Sequence, residues 1–296
     1  MAILGRSKGN FRPFFHGIEA YALSWYLHIQ LLSVYNVRMS NDINASDITG
    51  KKIFFLYPTP VMQNRIIFEL VQHEYEIYMT RNKDTLRRVL RKYPDSIVFV
   101  DINQQLPEKE WETWITAVMN SPDTKTVSIG IITDNHDEDL RQKYLQTIKV
   151  TCGYTILKFD LEKNIKQIVE ILQVLGAKGR RKFIRATIDD ASNATVNLPI
   201  EGTFVNGKIK DISVVGISFT LDGNPEIAKN ALVKDVQIIL QTSRIKVEGI
   251  VFGSRMDGKE KIYVLLFSQR TDSEVRAKIR KYIQHNLQTK MDVELR

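Results

Sequence analysis

A chain of 296 residues with 43% hydrophobic and 26% charged side chains has room for two hydrophobic cores, and its balance excludes a disordered or fibrous protein. The formal net charge of +8 favours anionic partners without choosing among nucleic acid, a membrane surface and a nucleotide. The single cysteine, Cys152, excludes an internal disulfide and a multi-cysteine metal site, and it fits a reducing, cytoplasmic compartment.

Residues 20–37 carry no formal charge, a length that touches the threshold for a membrane helix, but Ser24, His28, Gln30, Ser33 and Asn36 interrupt the run. No small-residue cleavage site follows it, so neither a signal peptide nor stable membrane insertion is expected. Residues 1–49 read as a poorly ordered extension in which Met39 offers an alternative start, with membrane-surface association as the other reading.

From Lys51 the pattern alternates between strand and helix. The apolar run 53–57 predicts a strand buried on both faces, ended by Pro58 and Pro60. A helix over 61–73, a strand over 76–79 and a helix from Asn82 to Lys92 follow. Next come a strand over 97–101, a helix marked by Trp111, Trp114, Ile115 and Val118, strands over 127–132 and 154–159, and a helix over 161–175. This order predicts an α/β domain over 50–176, a flavodoxin-like doubly wound five-stranded parallel sheet.

The second half opens on Arg180-Arg181-Lys182-Phe183-Ile184-Arg185, part of an arginine-rich linker expected over 177–186. Strand-rich sequence then predicts an all-β domain over 187–296, a small barrel with a C-terminal helix over 273–287. Within it, Asn206-Gly207 predicts a hairpin turn between 203–205 and 208–210, and residues 256–259 predict a second tight turn. Further strands are expected over 214–221, 236–241, 245–253 and 261–268.

The chemistry of the second half lies in two clusters. Arg181 and Arg185 present planar forks that clamp phosphate or the O6/N7 edge of guanine through paired hydrogen bonds. Asp211 is an acceptor suited to the donor edge of guanine, Ser213 bonds in either direction, and Gly216 lets a planar base approach the backbone. Taken singly, Asp211 and Ser213 also suit an Asx or Ser turn, and 178–185 suits a nucleic-acid patch. Together, RxxxR (Arg181, Arg185) and DxSxxG (Asp211, Ser213, Gly216) resemble the signature of PilZ domains, bacterial receptors for cyclic di-GMP. The resemblance implies cyclic di-GMP as ligand, with Arg180 as an added contact that goes with a stacked pair of ligand molecules, and motility as a typical output.

Over roughly 50–176 the chain is also similar to response-regulator receiver domains. Asp101 ends the third strand at the phosphoacceptor position, Thr133 follows the fourth, and Lys158 sits at the end of the fifth. Receivers carry an acidic pair after the first strand to hold Mg²⁺, whereas this chain has Tyr57, Pro58 and Thr59 there. A degenerate receiver-like domain used for a protein partner or homodimer is therefore expected, with Asp101 and Lys158 as an internal ion pair or a strand-end polar pair.

The five histidines are scattered without ligand spacing, so no catalytic residue, metal or cofactor is expected, and the chain reads as a receptor rather than an enzyme. The expected mechanism is an arginine linker, mobile for want of apolar anchors, that wraps the ligand and reorients the two domains. The alternatives are a phosphorylatable response regulator with a PilZ-like output, and a nucleic-acid-binding protein using the linker with Arg276, Lys278, Arg280 and Lys281. Nucleic acid is the less favoured partner.

Overall fold

The computed structural model describes residues 45–157, 160–189 and 193–296. The uncharged run at 20–37, the alternative start at Met39, and Lys158 lie outside the described residues.

A short helix α1 (Ala45–Thr49) precedes a five-stranded parallel sheet of β1 (Ile53–Leu56), β2 (Ile77–Thr80), β3 (Ile97–Asp101), β4 (Ser128–Thr133) and β5 (Tyr154–Ile156). The order β2-β1-β3-β4-β5 is the flavodoxin-like, receiver-like arrangement. Every residue of β1 and β3 is buried, as central strands covered on both faces require. The period of two divides them: Phe54 and Leu56 join one core with Leu86, Trp111 and Ile115, while Ile53 and Phe55 join the other with Met62, Ile66 and Ile168.

The covering helices are α2 (π-helical Met62–Ile67 continuing as α-helical Phe68–Gln72), α3 (Lys83–Lys92), α4 (Glu108–Asn120) and α6 (Leu161–Val174). Asn82 caps α3 by accepting the amides of Asp84 and Thr85 at 3.0 Å, and Leu86, Val89 and Leu90 face inward at helical spacing. One helix is not among the expected elements. Between β4 and β5 the chain forms α5, α-helical over Glu138–Gln142 and π-helical over Lys143–Ile148. Tyr144 is its one buried residue, and Leu140, Leu145 and Ile148 pack beside it on the core as a short apolar stripe.

The second half is an antiparallel sheet of β6 (Arg185–Thr187), β7 (Ala194–Ile200), β8 (Thr203–Ser213), β9 (Gly216–Leu221), β10 (Ala231–Leu240), β11 (Ser243–Asp257) and β12 (Glu260–Phe267). Pairing of β8 with β9 closes β7 through β12 into a barrel, and β6 extends the β7 side of β8. Its interior holds Val196, Ile212, Ile217, Val236 and Leu265, with Phe219 and Tyr263 stacked at 5.6 Å.

The hairpin expected at Asn206-Gly207 is not there. β8 runs straight through both residues, and the turn lies at Glu201 (φ +48°) and Gly202 (φ +83°). Gly207 serves packing instead: a Cβ there would stand 2.0 Å from the carbonyl oxygen of Thr220, so the residue lets β8 cross close to β9. The second turn falls as expected, at Gly258 between the paired Asp257 and Glu260.

The C-terminal helix α7 runs over Ser273–Glu294, beyond the expected end at 287. Ile279, Tyr282 and Ile283 join the barrel core, and Met291 joins the core of the parallel sheet. Between them α7 lies along the exposed side of β2. Gln284 Nε2 donates to Ile77 O at 2.7 Å, and Gln288 both donates to Met79 O and accepts Met79 N at 2.9 Å. Two amide side chains thus satisfy the backbone groups of an edge strand, as a further strand would. No helix among the described residues is long and apolar enough to cross a membrane.

Candidate functional site

The basic segment is not short of anchors. Lys51 N donates to Ala177 O at 2.9 Å, Arg180 N to Asp47 O at 2.9 Å and Arg181 N to Ile48 O at 3.1 Å, so its backbone is laced to α1 and to the residues just after it. Ile184 packs against the barrel core, and its amide donates to Glu74 Oε2 at 3.1 Å. Lys178 Nζ stands 4.8 Å from the centre of the Tyr75 ring. Arg185 and Ala186, expected in the linker, already belong to β6. The expectation of a segment with few apolar anchors is corrected on this point, because partners distant in sequence supply the anchors.

Strand pairing assembles the site. β6 places Arg185 opposite Ser213 and Thr187 opposite Asp211, so Arg185 and Asp211 share a face one diagonal apart. The β8–β9 register skips between Ile209 and Asp211, and this bulge at Lys210 re-aims Asp211 and the residues after it. Asp211 Oδ2 accepts a short hydrogen bond from the Ser218 hydroxyl across the ladder. Its Oδ1 is buried without a hydrogen-bond partner, and so is Nε of Arg181. Burial draws the Arg185 guanidinium down to about 10, the Asp211 charge opposes that, and the like charge of Arg181 adds to it. Arg181 is lowered by burial and supported chiefly by Asp211. Both stay charged at neutral pH. An unpaired guanidinium nitrogen on Arg181 and an unpaired carboxylate oxygen on Asp211 in the same site suit a ligand carrying both anionic oxygens and N–H donors.

The other three expected residues sit differently. Ser213 is fully buried; its hydroxyl donates to Gly216 O at 3.2 Å and accepts Val215 N at 3.4 Å, which shapes the two-residue turn joining β8 to β9. The close approach that Gly216 serves here is to β12, since a Cβ would stand 2.4 Å from Leu265 O. Arg180 is exposed and lines a shallow cleft with Asp47, Lys51 and Lys178. Sequence reasoning missed Ser218 and Glu74. Ser218 was readable in principle as a polar residue inside the apolar strand Gly216–Leu221, whereas Glu74 lies 110 residues from its Ile184 partner and left no local signal.

At the receiver-like position the acidic pair is replaced by an aromatic contact. Tyr57, at φ +57°, meets Trp111 edge-on at 5.7 Å, and Trp111 Nε1 donates to Gln104 O at 3.0 Å. Asp101 is buried, and desolvation pushes its carboxyl up to about 6; the Asn103 amide at 3.1 Å opposes this and the Asp134 charge adds to it. Thr133 donates to Asn103 Oδ1, and Asn103 Nδ2 donates to Asp134 Oδ1 at 2.6 Å.

The sequence profile described as PilZ domain matches residues 179–285. No curated protein matches the chain. Among solved structures, the chain is similar to the PilZ domain of YcgR from Escherichia coli with c-di-GMP, at 13% identity and a TM-score of 0.33, covering 39% of this chain and 96% of that one. It is also similar to the MrkH–c-di-GMP complex of K. pneumonia, at 19% identity and a TM-score of 0.34, covering 40% and 57%. The chemotaxis response regulator CheY4 of Vibrio cholerae matches at 15% identity and a TM-score of 0.35, covering 42% and 100%. The chain spans about half the length of YcgR (51%) and of MrkH (57%). With Arg185 and Asp211 on adjacent strands and Arg181 in the segment leading into them, residues 179–285 of this chain are a PilZ domain, carried behind an α/β domain of receiver-like topology.

Proposed function

We propose that this protein is a cytoplasmic, non-enzymatic receptor for cyclic di-GMP, with a receiver-like domain over 50–176, the arginine segment 177–186 and a ligand-binding barrel over 187–296. The observation that carries the proposal is that Arg185 on β6 and Asp211 on β8 share a face, with Arg181 of the preceding segment within electrostatic reach of both, an unpaired nitrogen on Arg181 and an unpaired oxygen on Asp211, inside the PilZ match. In this reading Arg181 and Arg185 clamp phosphate and guanine, Asp211 accepts from the guanine donor edge, Ser213 and Gly216 hold the turn behind it, and exposed Arg180 takes a second stacked ligand molecule. Because the arginine segment is hydrogen-bonded to residues before β1 and to Glu74, a shift it makes in closing on a ligand changes how the two domains are held. The receiver-like domain then presents the signal to a protein partner or to a second copy of the chain.

Calorimetric titration tests this with cyclic di-GMP, GTP and duplex DNA at two salt concentrations. Submicromolar to low-micromolar cyclic di-GMP binding is expected, weakened by about 10- to 100-fold in Arg181→Ala or Asp211→Ala, the size of a lost charge-assisted hydrogen bond. Steeply salt-dependent DNA binding without cyclic di-GMP binding would favour the nucleic-acid alternative.

A further inference from the structure

Glu74 closes the turn between α2 and β2 at φ +59°, a backbone conformation uncommon for a residue with a side chain. Its carboxylate is 11% exposed and has both oxygens engaged. Oε1 accepts Arg280 Nε of α7 at 2.8 Å, and Oε2 accepts the amide of Ile184 at 3.1 Å. Neither partner belongs to the domain that carries Glu74, and Ile184 lies between Arg181 and Arg185. A buried carboxylate is costly unless its lone pairs are matched, so Glu74 is satisfied only while the arginine segment and α7 are docked on the receiver-like domain. The neighbouring Tyr75 ring, under Lys178, holds the same segment six residues earlier, and Ile184 itself packs against the barrel core.

We infer that Glu74 is a positioning residue for the ligand site, holding the backbone between Arg181 and Arg185 so that both guanidiniums are presented beside Asp211 before any ligand arrives. Ligand affinity is thereby set in part by the receiver-like domain. The physical basis is preorganisation: a segment already held in its binding conformation loses less freedom when it binds. This inference rests on the cyclic di-GMP reading above.

The test uses the full chain and two readouts, calorimetric titration with cyclic di-GMP and hydrogen exchange at the Ile184 amide. Glu74→Ala is expected to weaken binding by about 3- to 10-fold and to speed exchange at Ile184, with no contact to the ligand removed. Glu74→Gln keeps an oxygen for that amide and should restore most of the affinity, a pattern that general destabilisation does not produce. In the unaltered protein, cyclic di-GMP should slow exchange at Ile184, a measurement that stands even if Glu74→Ala does not fold. Tight binding by the unaltered protein together with Glu74→Ala affinity within twofold, or with Ile184 exchange indifferent to ligand, overturns the positioning role alone. No binding by the unaltered protein overturns the ligand reading, and this inference with it.

Discussion

Asp101→Asn should make the protein more stable at neutral pH, although it removes a charge from the position where receivers are phosphorylated. The Asp101 carboxyl is 3% exposed and pushed up from 3.8 to about 6 by desolvation, with the Asp134 charge adding to the rise. Its folded-state affinity for the proton exceeds that of the unfolded chain, so stability falls as pH rises from 3.8 to about 6, and the penalty is complete above it. At about 1.4 kcal/mol per pH unit, the ionised carboxylate costs the folded state about 3 kcal/mol at pH 7.5. Asparagine keeps the oxygen that accepts the Asn103 amide and avoids the charge. Urea denaturation at pH 7.5 should therefore show Asp101→Asn more stable by about 1 to 3 kcal/mol, with the gap narrowing to about 1 kcal/mol or less near pH 4.5. A variant no more stable than the parent at pH 7.5 would mean that Asp101 is ionised and compensated, and the account of a buried carboxyl without a counter-charge would fail.

Three further outcomes are expected from the packing. Gln288→Met keeps the bulk of the side chain but strands the amide and carbonyl of Met79; denaturant melts should show a loss of about 1 to 3 kcal/mol, and the Met79 amide should lose its protection from exchange. Gly207→Ala pushes a methyl into the Thr220 carbonyl and should cost about 3 kcal/mol, whereas Gly202→Ala, with open space around its Cβ, should cost about 1 kcal/mol for its positive φ; equal costs would contradict the placement of the turn. Ser218→Ala frees Asp211 from its cross-strand donor, and cyclic di-GMP titration should show about 3- to 10-fold weaker binding with a stability change of about 1 kcal/mol. Unchanged affinity there would mean that Asp211 needs no help in holding its direction.

Most of the parallel sheet was legible because its signals are local. Asn82 before an apolar stripe at helical spacing, and the five-residue run Ile97–Asp101 between two helical patterns, each carry their structure within a few residues. α5 went unread although Leu140, Tyr144, Leu145 and Ile148 recur at helical spacing, because that short stripe begins within the polar, charged run 134–143 and only Tyr144 is fully buried. Asn206-Gly207 misled for a related reason: the same dipeptide serves a tight turn or a close strand crossing, and only the neighbour that β8 meets distinguishes them.

The sequence by itself determined most of the elements and the chemical inventory of the site: two arginines four apart, an aspartate, a serine and a glycine, in an order that two strands could bring together. It also settled that the receiver-like acidic pair is missing, since Tyr57-Pro58-Thr59 occupies its place. Only the tertiary structure decided which of those residues face one another and what holds them. Ser213 and Gly216 turned inward to build the turn, Arg185 became part of a strand, and the arginine segment acquired partners at Asp47, Ile48 and Glu74. The physical reason is that hydrogen bonds and buried charges are satisfied by whatever lies nearest in space. For Glu74 and for the edge of β2, those neighbours come from the arginine segment and from the far end of the chain, at separations that no local pattern encodes.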